Sequence, residues 1–255
     1  MSSNTSGSPS RRERLRTETI DEIKTSARDQ LREHGPNGIS LRAVAREVGM
    51  SPAALYRYFD GLDALLTELC CDFYDELIDV SGTAMDAHPP ECHMERMKTW
   101  IWSFRAWAVS HRPEFELMLN LPDSRTAMAN PVQTADSRLD DLTPVGKKSI
   151  EHAQLCGREL AAYHRQTEGE DFDFAAVQTP ELSEGLREEI HERCGALIFG
   201  EPLPVSWMFA FMSAWVRVFG LVTMEAFGSL PIQDHVEEFY KAQMMVIIKE
   251  FGIAP

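Results

Sequence analysis

The sequence predicts an all-α protein: a three-helix N-terminal unit followed by a larger helical body. Three observations carry this expectation. Apolar residues recur at spacings of three and four along each periodic stretch, and no alternating run is long enough for a strand. Two short helical patterns meet at a Gly-containing turn within the first sixty residues. The chain has 255 residues, 44% of them hydrophobic, which supports a core larger than that first unit needs.

Residues 1–16 read as a tail, a Ser/Gly/Asn stretch followed by Arg11, Arg12, Arg14 and Arg16. Thr17 to Glu33 is helical, with Ile20, Ile23, Ala27 and Leu31 on one stripe, and Gly35, Pro36 and Gly38 end it. Ser40 is placed to cap a short helix from Leu41 to Val48, and Gly49 suits a left-handed turn. Ser51-Pro52 then reads as an N-cap followed by a proline at the first helical position, opening a third helix through Tyr58. Gly61 breaks the chain, and a long helix runs from Leu62 toward Ile78. The expected units are therefore 17–61 and 62–255.

In the second unit, Met97, Trp100, Phe104, Trp107 and His111 share a helical face. Pro113, Pro122, Pro131 and Pro144 punctuate the chain beyond that helix, and Glu168 to Asp173 is an acidic loop. Pro180 to Phe199 is a weaker helix. Ser206 to Gly228 carries only Arg217 and Glu225 as charges, so it is apolar nearly all round. Ile232 to Phe251 is amphipathic.

The net charge is −15, which by itself argues against a nucleic-acid partner. Its distribution reverses that. Residues 1–62 hold ten Lys+Arg against eight Asp+Glu, and the remainder holds fifteen against thirty-two. Any phosphate-facing surface therefore lies in the first unit.

Ile39 to Phe59, ISLRAVAREVGMSPAALYRYF, has the layout of a helix-turn-helix. In this motif the second helix enters the major groove by its N-terminal end, so that end must be narrow. Ser51, Pro52, Ala53 and Ala54 are small, and an alanine methyl can meet a thymine methyl. Leu55 and Phe59 face the core. Tyr56 and Tyr58 can reach phosphates, Arg57 adds charge beside them, and Arg42 can reach a base edge or a phosphate. Double-stranded operator DNA is the expected partner.

Over Ala27 to Leu66 the chain resembles the tetracycline-repressor (TetR) family, through the polar cap, the AxxxG turn, the small residues and LYxYF. The resemblance implies base-proximal positions at Arg42, Pro52 and Ala53, and phosphate or groove contacts at Ser40, Ser51, Tyr56 and Tyr58. One position departs: Leu62 stands where the family usually has a phosphate-binding lysine. It also implies a helical body that dimerises and holds a ligand. Trp215 to Gly228 is similar to the Trp-His-Gly body of some members, with Phe219 in place of the histidine.

A helix apolar on all sides must be buried on all sides. Gly220, with Ser213 and Ala214, allows close approach of another backbone. With the Ile232–Phe251 stripe this suggests a four-helix homodimer interface using Trp215, Gly220, Val236, Phe239, Gln243 and Ile247. A membrane span is disfavoured, because Arg217 would sit near the bilayer centre. Trp100, Phe104, Trp107 and Met118, with Trp102, Phe115, Met94 and Met97 nearby, are candidates for an adaptable apolar pocket for a small-molecule effector, although each taken singly reads more readily as plain core.

His152 with Cys156, and His191 with Cys194, have spacings that could place metal ligands on one helix face, but nothing links the pairs and no metal or cofactor is expected. No GxSxG, GxGxxG, phosphate loop or HExxH occurs, so an enzyme is not expected. Five cysteines without CxxC, and no apolar N-terminal run, fit a cytoplasmic protein. The expected function is a DNA-binding transcriptional repressor released by a small ligand. The alternative is a ligand-binding or scaffold protein of the same fold with weak or lost specific DNA binding.

Overall fold

The computed structural model describes residues 10–121, 142–167 and 180–251, and among them every regular element is helical. Pro122, Pro131 and the expected acidic loop from Glu168 to Asp173 lie outside the described residues. The first helix, α1 (Arg11–His34), starts ahead of the Thr17 expected from the apolar stripe. A capping box closes its first turn. Ser10 Oγ accepts from the Glu13 backbone N–H at 3.3 Å, and the Glu13 carboxylate accepts from the Ser10 N–H at 2.6 Å. The four arginines read as part of a tail therefore lie on a helix surface. Gly35, at φ +73°, ends α1, and its N–H donates to the Leu31 carbonyl at 2.8 Å.

A short 3₁₀ turn (Pro36–Gly38) leads to α2 (Leu41–Glu47). Ser40 holds the N-cap position, yet its hydroxyl makes no capping bond, contrary to the sequence reading. Its backbone N–H is instead fixed by the Gln30 side chain at 3.2 Å. Gly49 adopts φ +75°, a region costly for any residue with a Cβ, and lets the Met50 N–H reach back to the Ala45 carbonyl at 2.8 Å. In α3 (Pro52–Leu55) the Ser51 hydroxyl caps the Ala54 N–H. The regular helix is shorter than expected. It continues in tighter turns, with Arg57 N–H to Ala54 and Tyr58 N–H to Leu55, and Phe59 is buried with Leu55.

The long α4 (Leu62–Met85) runs past the expected Ile78 and serves both units. Its Leu65, Leu69, Phe73 and Leu77 are buried. Against it pack α5 (His93–Ser110) and α7 (Pro144–Thr167), while α6 (Arg112–Asn120) touches α1, α4 and α5. Then come α8 (Glu184–Cys194), a single π turn at Gly195–Phe199, α9 (Val205–Ala226) and α10 (Val236–Glu250). Buried residues from α1, α2 and α9 belong to one continuous core.

Both charges on α9 are paired. Glu225 accepts from Arg105 of α5 at 2.5 and 2.7 Å, and Arg217 pairs with Glu250 of α10 at 2.7 Å. By length and composition alone α9 could cross a membrane, but these two pairs bind it to its neighbours in the bundle.

Phe73 is fully buried on α4 and lies beneath the Arg28 guanidinium of α1, 4.9 Å from its ring centroid. Phe73→Ala is expected to cost about 3–5 kcal/mol. At about 2–4 °C for each kcal/mol, a thermal melt would read this directly. A loss below about 1 kcal/mol would mean that the site collapses and that this part of the core is not closely packed.

Candidate functional site

The outward face of the first unit gathers the residues expected to meet DNA. Arg42, in the first turn of α2, is exposed, as are Ser40, Ser51, Pro52, Ala53, Tyr56 and Arg57, while Ala54 is partly buried. Tyr56 is 56% exposed although it is large and aromatic. Tyr58 is different. It is half-buried beneath Arg16, whose guanidinium lies 5.1 Å from its ring and donates to the Arg57 carbonyl at 3.4 Å. The start of α1 thus braces the recognition element, a contact the sequence reading did not find. Leu62, the first residue of α4, packs against the core.

In the second unit two cavities adjoin one another. The first, about 70 Å³, is walled by α5, α7, α9 and α10, including Met97, Trp100, Phe211, Trp215 and Ile247. The second is about 10 Å³, near the size of one water, and is lined by Phe104, Phe115, Met118, His152, Trp215 and Phe219 among others. Of the four expected pocket residues, Trp100 lines the first cavity, and Phe104 and Met118 line the second. Trp107 lines neither: it is buried against His111, with ring centroids 5.0 Å apart. Trp215, Phe211, Met244 and Ile247 were missed as pocket residues. A helix that is apolar all round does not announce which side faces a void.

His152 and Cys156 point to different places, His152 into the second cavity and Cys156 into the first. No group of three metal-ligating side chains occurs among the described residues, and the Cys194 side chain lies outside them. Burial pushes the Cys156 thiol up, which disfavours the thiolate that a metal would need.

Comparisons with known proteins bear on the family and the fold. Residues 23–69 match the N-terminal family model of the bacterial regulatory proteins of the tetR family. Residues 98–247, more than half of the chain, match the tetracyclin repressor-like C-terminal domain. The chain belongs to the TetR family.

The HTH-type transcriptional regulators Rv1816 of Mycobacterium tuberculosis and Mb1846 of Mycobacterium bovis are each 33% identical to it. Each match covers 46% of this chain and 59% of the relative, so the chain spans under two thirds of the length of these relatives. The solved structure of SCO4313 shares the fold, with a TM-score of 0.66 at 23% identity over 94% of this chain and 99% of that one. A protein from Rhodococcus sp. RHA1 gives 0.59 at 17% identity over 99% and 100%. Membership in a family of regulatory proteins accords with a sequence that carries no catalytic motif.

In this TetR-family chain, α9 and α10 present an outer surface. Val216 is 68% exposed, and Met224, Met245 and Val246 are also exposed, an unusual display of apolar side chains. Gly220 lies on the same side of α9 as Val216 and Met224, and a Cβ there would meet nothing within 4 Å. Phe239 and Gln243 are partly buried and share a stripe of α10 with Val246, one turn beyond the partly buried Val236. Two expected interface residues turn inward instead. Trp215 and Ile247 line the first cavity, because the helical period of 3.6 residues turns each by about 100° from its exposed neighbour, Val216 or Val246.

The two units meet at a charged joint. Glu114 of α6 is 1% exposed, and its carboxylate accepts from Arg28 Nε at 3.2 Å and from Arg32 Nε at 2.8 Å. Arg28 also grips Glu76 of α4 through two guanidinium nitrogens, and Lys24 pairs with Asp72 of α4 at 2.7 Å. Burial alone would push the Glu114 carboxyl up, but its own backbone amide and the bonds from Arg32 and Arg28 outweigh this and hold it below 4.5.

A carboxyl lowered on folding stabilises the fold at neutral pH and loses that contribution as the pH falls through the folded value. Glu114→Gln keeps the shape and removes the charge. It is expected to cost about 1–3 kcal/mol at pH 7. The difference from the unsubstituted chain should shrink as the pH is lowered from 5 toward 3. A difference that stays constant over that range would show that the Glu114 charge contributes nothing.

Proposed function

We propose that this chain is a cytoplasmic homodimeric transcriptional repressor that binds operator DNA through α2 and α3 and is released by a small-molecule effector held in its helical body. The observation that carries the reading is the face made by Arg42, Ser51, Pro52, Ala53 and Tyr56. It joins a narrow helix start to exposed groups that reach bases and phosphates, and it lies in the part of an acidic chain where basic residues outnumber acidic ones. Dimerisation through α9 and α10 is supported by the exposed Val216, Met224 and Val246 and by the open approach at Gly220. Two subunits would place their α3 starts in successive major grooves, about 34–36 Å apart.

Release operates by population shift. An effector that prefers a body arrangement with the wrong spacing lowers operator affinity by its differential affinity for the two arrangements. A hundred-fold effect needs about 2.7 kcal/mol. The second reading, a ligand-binding protein without specific DNA binding, is favoured by one feature, the packing of Leu62 into the core where the family lysine would meet a phosphate.

The deciding experiment is a titration of the chain against its own upstream intergenic DNA, over a salt series, with nonspecific competitor present. Binding at a palindromic site with two or four subunits, weakened about tenfold or more by Arg42→Ala and several-fold by Tyr56→Phe, is the expected result. Binding no tighter than competitor, and unmoved by either substitution, would establish the second reading instead. Leu62→Lys is expected to steepen the salt dependence by about one unit of log–log slope. An unchanged slope would mean that the start of α4 stands away from the phosphates. Val216→Glu together with Val246→Glu should yield monomers by sedimentation, and a dimer that persists would move the interface elsewhere.

A further inference from the structure

Two residues that line the two cavities carry buried polar ring atoms without partners. Neither the indole Nε1 of Trp100 nor the imidazole Nε2 of His152 has a hydrogen-bond partner, and each residue is only 2% exposed. Their rings stack with centroids 4.7 Å apart, tilted by 27°. Trp100 lines the first cavity, His152 lines the second, and Trp215 lines both. A buried polar atom left unpaired forfeits its hydration with nothing in return, so such atoms are rare. Two of them, on stacked rings of residues that line the two voids, mark a place where a bound molecule would supply the missing bonds once a neighbouring side chain shifts.

The walls restrict what that molecule can be. The first cavity is apolar apart from Lys98, with Met94, Leu160, Phe211 and Phe251 around it. The second adds Tyr74 and Ser149 beside His152. No carboxylate lines either cavity, so a cation finds no counter-charge. An anion would find Lys98 and otherwise only apolar surface. Burial pushes the His152 imidazole down to about 3, so it is a neutral donor or acceptor at physiological pH.

We propose that the effector is a neutral, mostly apolar molecule bearing one hydroxyl or equivalent group, with its body in the first cavity and its oxygen between Trp100 Nε1 and His152 Nε2. The proposal rests on the reading of the chain as a ligand-responsive regulator. An indole N–H only donates, so the ligand oxygen accepts from Trp100, while its O–H donates to Nε2 in the tautomer that leaves this nitrogen bare. At about 70 Å³ the first cavity is smaller than the roughly 150 Å³ that holds a benzene ring. Room must therefore be made. Met94, Met97 and Met244 are adaptable walls, and a swing of Trp215 would join the two cavities into one.

The test is equilibrium binding of three matched probes to the full-length chain: ethylbenzene, 4-ethylphenol and the 4-ethylbenzoate anion, read by calorimetry and tryptophan fluorescence. 4-Ethylphenol is expected to bind about five- to a hundredfold more tightly than ethylbenzene, the range for two added neutral hydrogen bonds. 4-Ethylbenzoate should bind most weakly. Trp100→Phe and His152→Phe should each erase the advantage of the phenol and leave ethylbenzene binding within about twofold. Ala214→Leu, which fills the first cavity, should weaken both neutral probes. If His152→Phe does not fold, Trp100→Phe decides. Equal binding of phenol and hydrocarbon, tightest binding of the benzoate, survival of the advantage in the folded variants, or no binding of any probe would overturn the proposal. Operator affinity measured on the same samples separates the two readings. A phenol that binds as expected but leaves operator affinity unchanged would overturn release by this ligand class and keep the site, whereas intact operator binding with no probe bound would overturn the site alone.

Discussion

The arrangement turns on one buried carboxylate. Glu114 sits almost fully out of water between Arg28 and Arg32, and a charge so placed is tolerated only while both partners hold their positions. This makes the contact between α6 and α1 close to all-or-none. Sliding α1 away would strand a buried carboxylate, a cost far larger than that of breaking an exposed ion pair. Arg28 is further held by Glu76 on α4, and its guanidinium covers Phe73. The first unit is therefore fastened to the body at two helices, through one arginine that belongs to both fastenings.

That fastening gives α6 two faces. Glu114 points to α1, while the adjacent Phe115, together with Met118, lines the second cavity opposite His152. A nine-residue helix moves as a rigid piece. A shift of the whole helix would move Phe115, Met118 and the carboxylate that anchors Arg28 and Arg32 together. α6 thus lies between the second cavity and the charged joint with α1.

Most of the first unit was legible because local rules fix it. The stripe Ile23, Ala27 and Leu31, the turn at Gly49 and the Ser51 cap are statements about neighbours in sequence, and each holds in the structure. The early start of α1 was also written in the sequence, as Ser10 and Glu13 three apart, but the run of arginines drew the eye to charge. The bracing of Tyr58 by Arg16, and the joint of Arg28 and Arg32 with Glu114, were not legible. They pair residues far apart in the chain, and nothing in the periodicity of a helix says which distant helix its polar face will meet. The same reason explains the division of the α9 and α10 residues. Their stripes announce burial, yet burial against the chain's own core and burial against a second copy use the same residue types.

This ambiguity is physical, and α9 shows why. Trp215 turns toward the two cavities, while Val216 beside it is largely exposed on the surface with Gly220 and Met224. A helix that lines a void on one side and shows apolar side chains on another carries its charges where a neighbour can neutralise them, as Arg105 does for Glu225 and Glu250 for Arg217. Because the backbone hydrogen bonds of a helix make it stiff along its length, a displacement of the α9 backbone at Trp215 carries Val216 along. The wall of the cavity and the outer surface are thus two sides of one rod, so an occupant that shifts the α9 backbone moves both, whereas one accommodated by the Trp215 side chain alone moves only the first.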